Sequence, residues 1–150
     1  MSKLLVLDVD GVMTDGTKIY GINGETIGKR MCDHDFTAIK KFKSMGWNVC
    51  WLSADKTINE KIAKNRQIDF WYSRDADGTI DKVKWLRFLI DHYLIHLSRL
   101  IDVGEPYTLQ DVIYVGDDLF DLHIMNEIIK KCGSSYFPAN SVPQLKIINE

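Results

Sequence analysis

The sequence is poor in the features that would set it apart from ordinary globular proteins. Cysteine occurs three times in 150 residues, as Cys32, Cys50 and Cys132, with no Cys-x-x-Cys pair. That argues against a disulfide framework or a thiolate zinc site and fits a reducing, cytoplasmic location. Proline also occurs only three times, and no linker, repeat or low-complexity tract interrupts the chain; the expected organisation is one domain over 1–150, long enough to bury a core without staples. Neither sign of charge dominates, with 19 Lys and Arg against 21 Asp and Glu and a net charge of −2. Without a dense basic block, nucleic acid and membrane surfaces are not expected partners. No apolar run approaches a bilayer span, and Leu4–Leu7 is cut off by Asp8 before reaching the length of a signal-peptide core.

What is present is alternation. The runs "KLLVLDVD", "WNVCWLSAD", "IDFWY", "DVIYVGDD" and "SSYFPAN" are short, rich in β-branched or aromatic residues, and bounded by polar or glycine signals. Between them lie segments of helical period. Phe36, Ile39, Phe42 and Met45 recur every three residues before Gly46; Ile58, Ile62 and Ala63 mark a second helix; Leu122, Met125, Ile128 and Ile129 mark a later one. The segment 79–101 is the longest candidate. Leu86, Leu89, Ile90, Tyr93, Leu94 and Leu97 form one apolar face, and Trp85, Phe88 and Ile95 form a second stripe beside it. A second stripe is read equally as a wide intramolecular contact or as a subunit interface. Strands apolar on both faces, alternating with helices, predict an α/β fold: a doubly wound parallel sheet. One piece breaks the rhythm. "KIYGINGETIGKR", residues 18–30, reads as a β-hairpin around Asn23-Gly24, standing over the end of the first strand.

In such sheets ligands bind at the carboxyl ends of the strands. The first strand delivers Asp8 and Asp10, which two apart on a strand point to the same face and converge on one site; the second delivers Ser53; the fourth delivers Asp117, Asp118 and Asp121. Lys82 precedes the long helix. Each alone has an ordinary explanation: turn-forming aspartates, a helix-capping serine, a solvated lysine. Together they gather carboxylates that repel unless a cation neutralises them, and an all-oxygen set without His or Cys selects a hard ion such as Mg²⁺. A hydroxyl and an ammonium beside that ion make a phosphate cradle. One aspartate can then attack phosphorus while its neighbour protonates the departing oxygen. A calcium loop is excluded, because the EF-hand positions five and six counted from Asp8 hold Val12 and Met13. "DADGTID", from Asp75, is read as a turn.

D8-V-D10-G-V-M-T-D15-G, Ser53, Lys82 and G116-D117-D118-L-F-D121 resemble the four signature motifs of the haloacid dehalogenase superfamily. With "NGE", "DKVKWL" and "FPANSVPQLK", the chain is similar nearly from end to end to its capless phosphatases for 3-deoxy-manno-octulosonate 8-phosphate and nonulosonate 9-phosphates. The resemblance implies a Mg²⁺-dependent phosphatase without a cap domain, acting on a small phosphorylated sugar acid, in which Asp8 is the nucleophile and Asp10 the acid and then base. It implies phosphate binding by Ser53 and Lys82. Mg²⁺ would be held by Asp8, the main-chain carbonyl of Asp10, and Asp117, with Asp118 and Asp121 in support. It implies a homotetramer in which a neighbour's hairpin helps close each site. The chain departs from the family after the second-motif hydroxyl, where Ala54-Asp55 stands in place of the common Gly-Arg. A different phosphate ester (a neutral sugar phosphate or a nucleic-acid terminus) and a non-catalytic oligomeric module are the rival readings.

Overall fold

All five short apolar runs form strands; the first four end at a polar or glycine residue, and the last gives way to Phe137-Pro138. The computed structural model describes residues 3–100, 109–131 and 133–138, with 94–100 as helix backbone only. The parallel strands are β1 (Leu4–Leu7), β4 (Asn48–Ser53), β5 (Asp69–Tyr72), β6 (Val112–Val115) and β7 (Ser134–Tyr136), in the order β5-β4-β1-β6-β7. Strand β1 is central, pairing Leu4–Leu7 with Asn48–Trp51 on one side and Val112–Val115 on the other. Alternate β1 residues feed two cores. Leu4 and Val6 pack with Leu86, Leu89, Ile124, Met125 and Ile128, whereas Leu5 and Leu7 pack with Phe36, Ile39, Trp51 and Ala63. Both faces are covered, which is why this strand reads as an unbroken apolar run.

The helices are α1 (Asp33–Ser44), α2 (Thr57–Asn65), α3 (Lys82–Leu100) and α4 (Leu122–Lys130). Helix α1 buries Phe36 and Ile39 and stops at Gly46, whose φ of 81° is open to glycine at no steric cost. Met45 and Ile129 were expected inside and lie at the surface, because each falls at the edge of its helix stripe. Along α3, Leu86, Leu89, Ile90 and Tyr93 are buried and Phe88 is exposed; Leu94, Ile95 and Leu97 lie outside the described side chains. Residues 75–79 form a turn, with Asp75 N–H donating to the Thr79 carbonyl at 2.8 Å.

The hairpin is longer than its sequence signal. It pairs β2 (Thr14–Tyr20) with β3 (Thr26–Met31) and closes through residues 21–25 rather than a two-residue Asn23-Gly24 turn. Gly21 N–H donates to the Glu25 carbonyl at 2.8 Å, and Asn23 N–H to the Glu25 carboxylate at 3.1 Å. The Glu25 side chain thus stabilises a wider loop. No cap domain is present among the described residues, and none of their helices is long and apolar enough to cross a membrane.

Candidate active site

The strand order reverses at β1, where the chain crosses from the β4 side to β6. In open parallel sheets this switch point, at the carboxyl ends of β1 and β6, is where ligands bind. Asp8 N–H donates to the Val115 carbonyl at 2.9 Å, so Asp8 is the last residue held to the sheet. Strand β1 itself ends at Leu7, and Asp10 lies in the turn beyond it, where two-residue alternation no longer applies. The turn is pinned by Thr14, whose hydroxyl accepts from the N–H groups of Gly11 (3.1 Å) and Gly16 (3.2 Å). Asp15 shapes the same turn by accepting from Thr17 N–H at 3.0 Å.

Asp8, Lys82, Asp117 and Asp121 form one group. The Asp8 carboxylate accepts from Val9 N–H at 2.9 Å and lies 3.1 Å from Lys82 Nζ. Lys82, the first residue of α3, is buried and also donates to Asp121. Asp121 has no exposed surface. It accepts from the Tyr114 hydroxyl at 2.5 Å and from the N–H groups of Asp117 and Asp118, both at 3.0 Å. Two glycines permit this crowding: a Cβ on Gly116 would meet Asp121 Cγ at 2.5 Å, and one on Gly11 would meet Asp117 Oδ2 at 1.6 Å. Asp118 is exposed and caps the turn that follows it, accepting from Leu119 N–H at 2.6 Å.

Negative charge exceeds positive here. Burial pushes the Asp8 carboxyl well above the usual range, against the pull of Lys82. Asp117 is pushed up to about 6 by burial and by the charges of Asp121 and Asp118. Burial alone would lower Lys82, but Asp8 and Asp121 outweigh it and hold it above the usual lysine range. Asp8, Asp117 and Asp121 offer oxygens within 4.8 Å of one another. The acceptors of Asp121 are already taken by Lys82, Tyr114 and two amides, so Asp121 is better suited to fixing Lys82 than to ligation. Asp8 and Asp117 retain uncompensated charge, which an oxygen-seeking divalent cation of the Mg²⁺ kind would neutralise.

Ser53 and Asp10 belong to an adjoining group. Ser53 Oγ, buried at the end of β4, accepts from Asn59 Nδ2 at 3.2 Å and from Asp55 N–H at 3.1 Å. The Asp10 carboxylate accepts from Lys29 Nζ at 2.7 and 3.0 Å and from Asn59 Nδ2 at 3.4 Å. Lys29, Asn59 and Tyr114 are the members that motif reading missed. Lys29 and Asn59 stand on the hairpin and on α2, and nothing in their spacing distinguishes them from surface residues. Tyr114 could have been found as the one phenol in β6.

No protein-family model matches the chain. Among solved structures it is similar to the 3-deoxy-D-manno-octulosonate 8-phosphate phosphatase from Yersinia pestis. The TM-score is 0.75 at 26% identity, over 98% of this chain and 69% of that one. The cobalt-bound deoxy-D-mannose-octulosonate 8-phosphate phosphatase from Haemophilus influenzae gives 0.75 at 27% identity, over 97% and 74%. The enzyme from Moraxella catarrhalis, in complex with a magnesium ion, a phosphate ion and a KDO molecule, gives 0.73 at 25%, over 95% and 71%. By fold and by sequence along nearly its whole described length, the chain resembles the 3-deoxy-manno-octulosonate 8-phosphate phosphatases of the haloacid dehalogenase superfamily.

Proposed function

We propose that the protein is a Mg²⁺-dependent phosphatase that hydrolyses a small phosphorylated sugar acid, of the 3-deoxy-manno-octulosonate 8-phosphate kind, through an aspartyl-phosphate on Asp8. The observation that carries this reading is the buried Asp8–Lys82–Asp121 chain beside Asp117, at the switch point of a parallel sheet. A binding scaffold has no use for a carboxylate pressed against a buried ammonium at a ligand crevice. Asp8, the main-chain carbonyl of Asp10, and Asp117 would hold Mg²⁺, which when bound supplies charge neutralisation toward the phosphate oxygens.

The chain's own residues divide the work as follows. Lys82 and the Ser53 hydroxyl bind the transferred phosphoryl group. Asp121, through its four acceptor contacts, keeps Lys82 aimed at Asp8. An Asp8 oxygen attacks phosphorus, and the bond to the leaving oxygen breaks as Asp10 gives that oxygen a proton. Water then attacks the aspartyl-phosphate, giving its proton to Asp10, and the electron pair of the broken P–O bond returns to Asp8. Asp118 supports the site indirectly, through the turn that presents Asp117 and Asp121.

The exposed apolar residues of the hairpin, Ile19, Tyr20, Ile22 and Ile27, support a homotetramer closed by hairpin contacts. A cytoplasmic setting is supported by Cys32 and Cys50, both free thiols. The test is turnover of an aryl phosphate with Mg²⁺, followed by a panel of phosphorylated sugar acids and neutral sugars. Asp8→Asn is expected to abolish turnover while circular dichroism stays unchanged; comparable activity in the variant would refute the assignment. Preference for neutral sugars over sugar acids would overturn the substrate class alone.

A further inference from the structure

Lys29 is unusual for a hairpin lysine. Its side chain has no exposed surface, yet it stands on a two-stranded ribbon outside the main sheet. Buried ammonium groups are costly unless paired on several sides. Lys29 is paired on three: to both Asp10 oxygens at 2.7 and 3.0 Å, to Asp55 Oδ2 at 2.8 Å and to Asn59 Oδ1 at 2.9 Å. Its cross-strand neighbour is Lys18, and like charges facing across an antiparallel pair repel. Asp55 offsets this by lying against both, 3.5 Å from Lys18 Nζ. The ladder slips in register on either side of this pair, between Thr14 and Lys18 and between Ile19 and Tyr20. Such irregularities re-aim side chains. Asn59, itself fully buried, completes the arrangement by linking Lys29, Ser53 and Asp10.

The geometry points to Lys29, anchored by Asp55 and Asn59, as the positioning residue that orients the Asp10 carboxylate for taking a proton from the water that hydrolyses the aspartyl-phosphate. The inference rests on the phosphatase reading above. Lys29 reaches both oxygens of the Asp10 carboxylate and so fixes its direction; with a leaving group that departs without a proton, the step in which that direction counts is the second one. In that step a water oxygen bonds to phosphorus, its proton passes to Asp10, and the phosphorus–Asp8 bond breaks with its electrons returning to Asp8. It also gives Asp55 a place in the site: its carboxylate holds the lysine that holds Asp10.

The test is steady-state and rapid-mixing kinetics of Lys29→Met on an aryl phosphate with Mg²⁺. An aryl leaving group departs without a proton donor, so phosphoenzyme formation should survive and its hydrolysis should slow. The expected result is a kcat lowered about 10- to 100-fold, as for a displaced catalytic group. KM should fall in parallel, kcat/KM should stay within about threefold, and a burst of aryl alcohol should match the enzyme concentration. Lys29→Arg should restore part of kcat, and Asp55→Asn should show the same pattern more weakly. The burst reads only folded, phosphorylated enzyme, so it separates slow hydrolysis from loss of fold. An unchanged kcat, or kcat and kcat/KM falling together without a burst, overturns the role of Lys29. A wild-type protein that turns over no phosphate ester overturns the phosphatase reading itself.

Discussion

Replacing Asp121 with alanine should destabilise the protein more than any other single carboxylate loss in the site, although Asp121 is assigned no contact with substrate. Its side chain is entirely buried and accepts from Lys82, Tyr114 and two backbone amides. Breaking a buried ion pair costs about 3–5 kcal/mol; the lower end applies because Lys82 keeps Asp8 at 3.1 Å. The Tyr114 hydroxyl, also buried, loses its acceptor, for roughly 1–3 kcal/mol more. The amides of Asp117 and Asp118 lie at a partly open edge and can be rehydrated. The expected loss is about 4–6 kcal/mol, a large share of the roughly 5–15 kcal/mol by which domains are stable. Urea unfolding of metal-free protein at 25 °C measures it. Asp118→Ala is the internal control, since its carboxylate is exposed and only caps a turn; its loss should cost about 1 kcal/mol. A loss below about 1 kcal/mol for Asp121→Ala, or equal losses for the two variants, would refute the view that Asp121 anchors Lys82.

In metal-free protein burial and the charges of Asp121 and Asp118 push the folded Asp117 carboxyl up to about 6, against roughly 3.9 when unfolded. The folded state therefore binds the proton more tightly, and the Asp117 contribution to stability declines as pH rises from about 4 to 6. Excess Mg²⁺ should cancel that decline and raise the melting temperature at pH 7, by about 2.7 kcal/mol of stabilisation at one hundred times its dissociation constant. Melting curves across pH with and without Mg²⁺ test both statements, and a Mg²⁺ effect that is the same at pH 4 and pH 7 would contradict them. At the hairpin tip Ile22 is 99% exposed, so Ile22→Asp should alter protomer stability by less than about 0.5 kcal/mol. It should nonetheless dissociate the proposed homotetramer in sedimentation; a sedimenting mass unchanged by the substitution would count against hairpin contacts between protomers.

Most of the framework was legible because it rests on local chemistry. Runs apolar on both faces can only be covered parallel strands, and Gly46 ends α1 where its pattern predicts. The expected positions of Asp8, Ser53, Asp117 and Asp121 followed from one rule, that ligands gather at strand carboxyl ends, and that of Lys82 from its place just before the long helix. Less legible were the hairpin loop, where a Glu25 side chain overrides the Asn23-Gly24 signal, and the fate of Asp10, which lies beyond the strand whose alternation was extended to it.

Sequence by itself determined which carboxylates, hydroxyl and ammonium reach the crevice, since each sits at the end of a strand or the start of a helix. Tertiary structure alone decided how they divide. Burial and pairing set Asp121 to hold Lys82, and left Asp8 and Asp117 with unbalanced charge. A hairpin lysine and a helix asparagine, remote in sequence from Asp10, close on its carboxylate. Contacts of 19 and 49 residues' separation leave no periodic trace in the chain; they exist only because the hairpin and α2 pack over the same strand end.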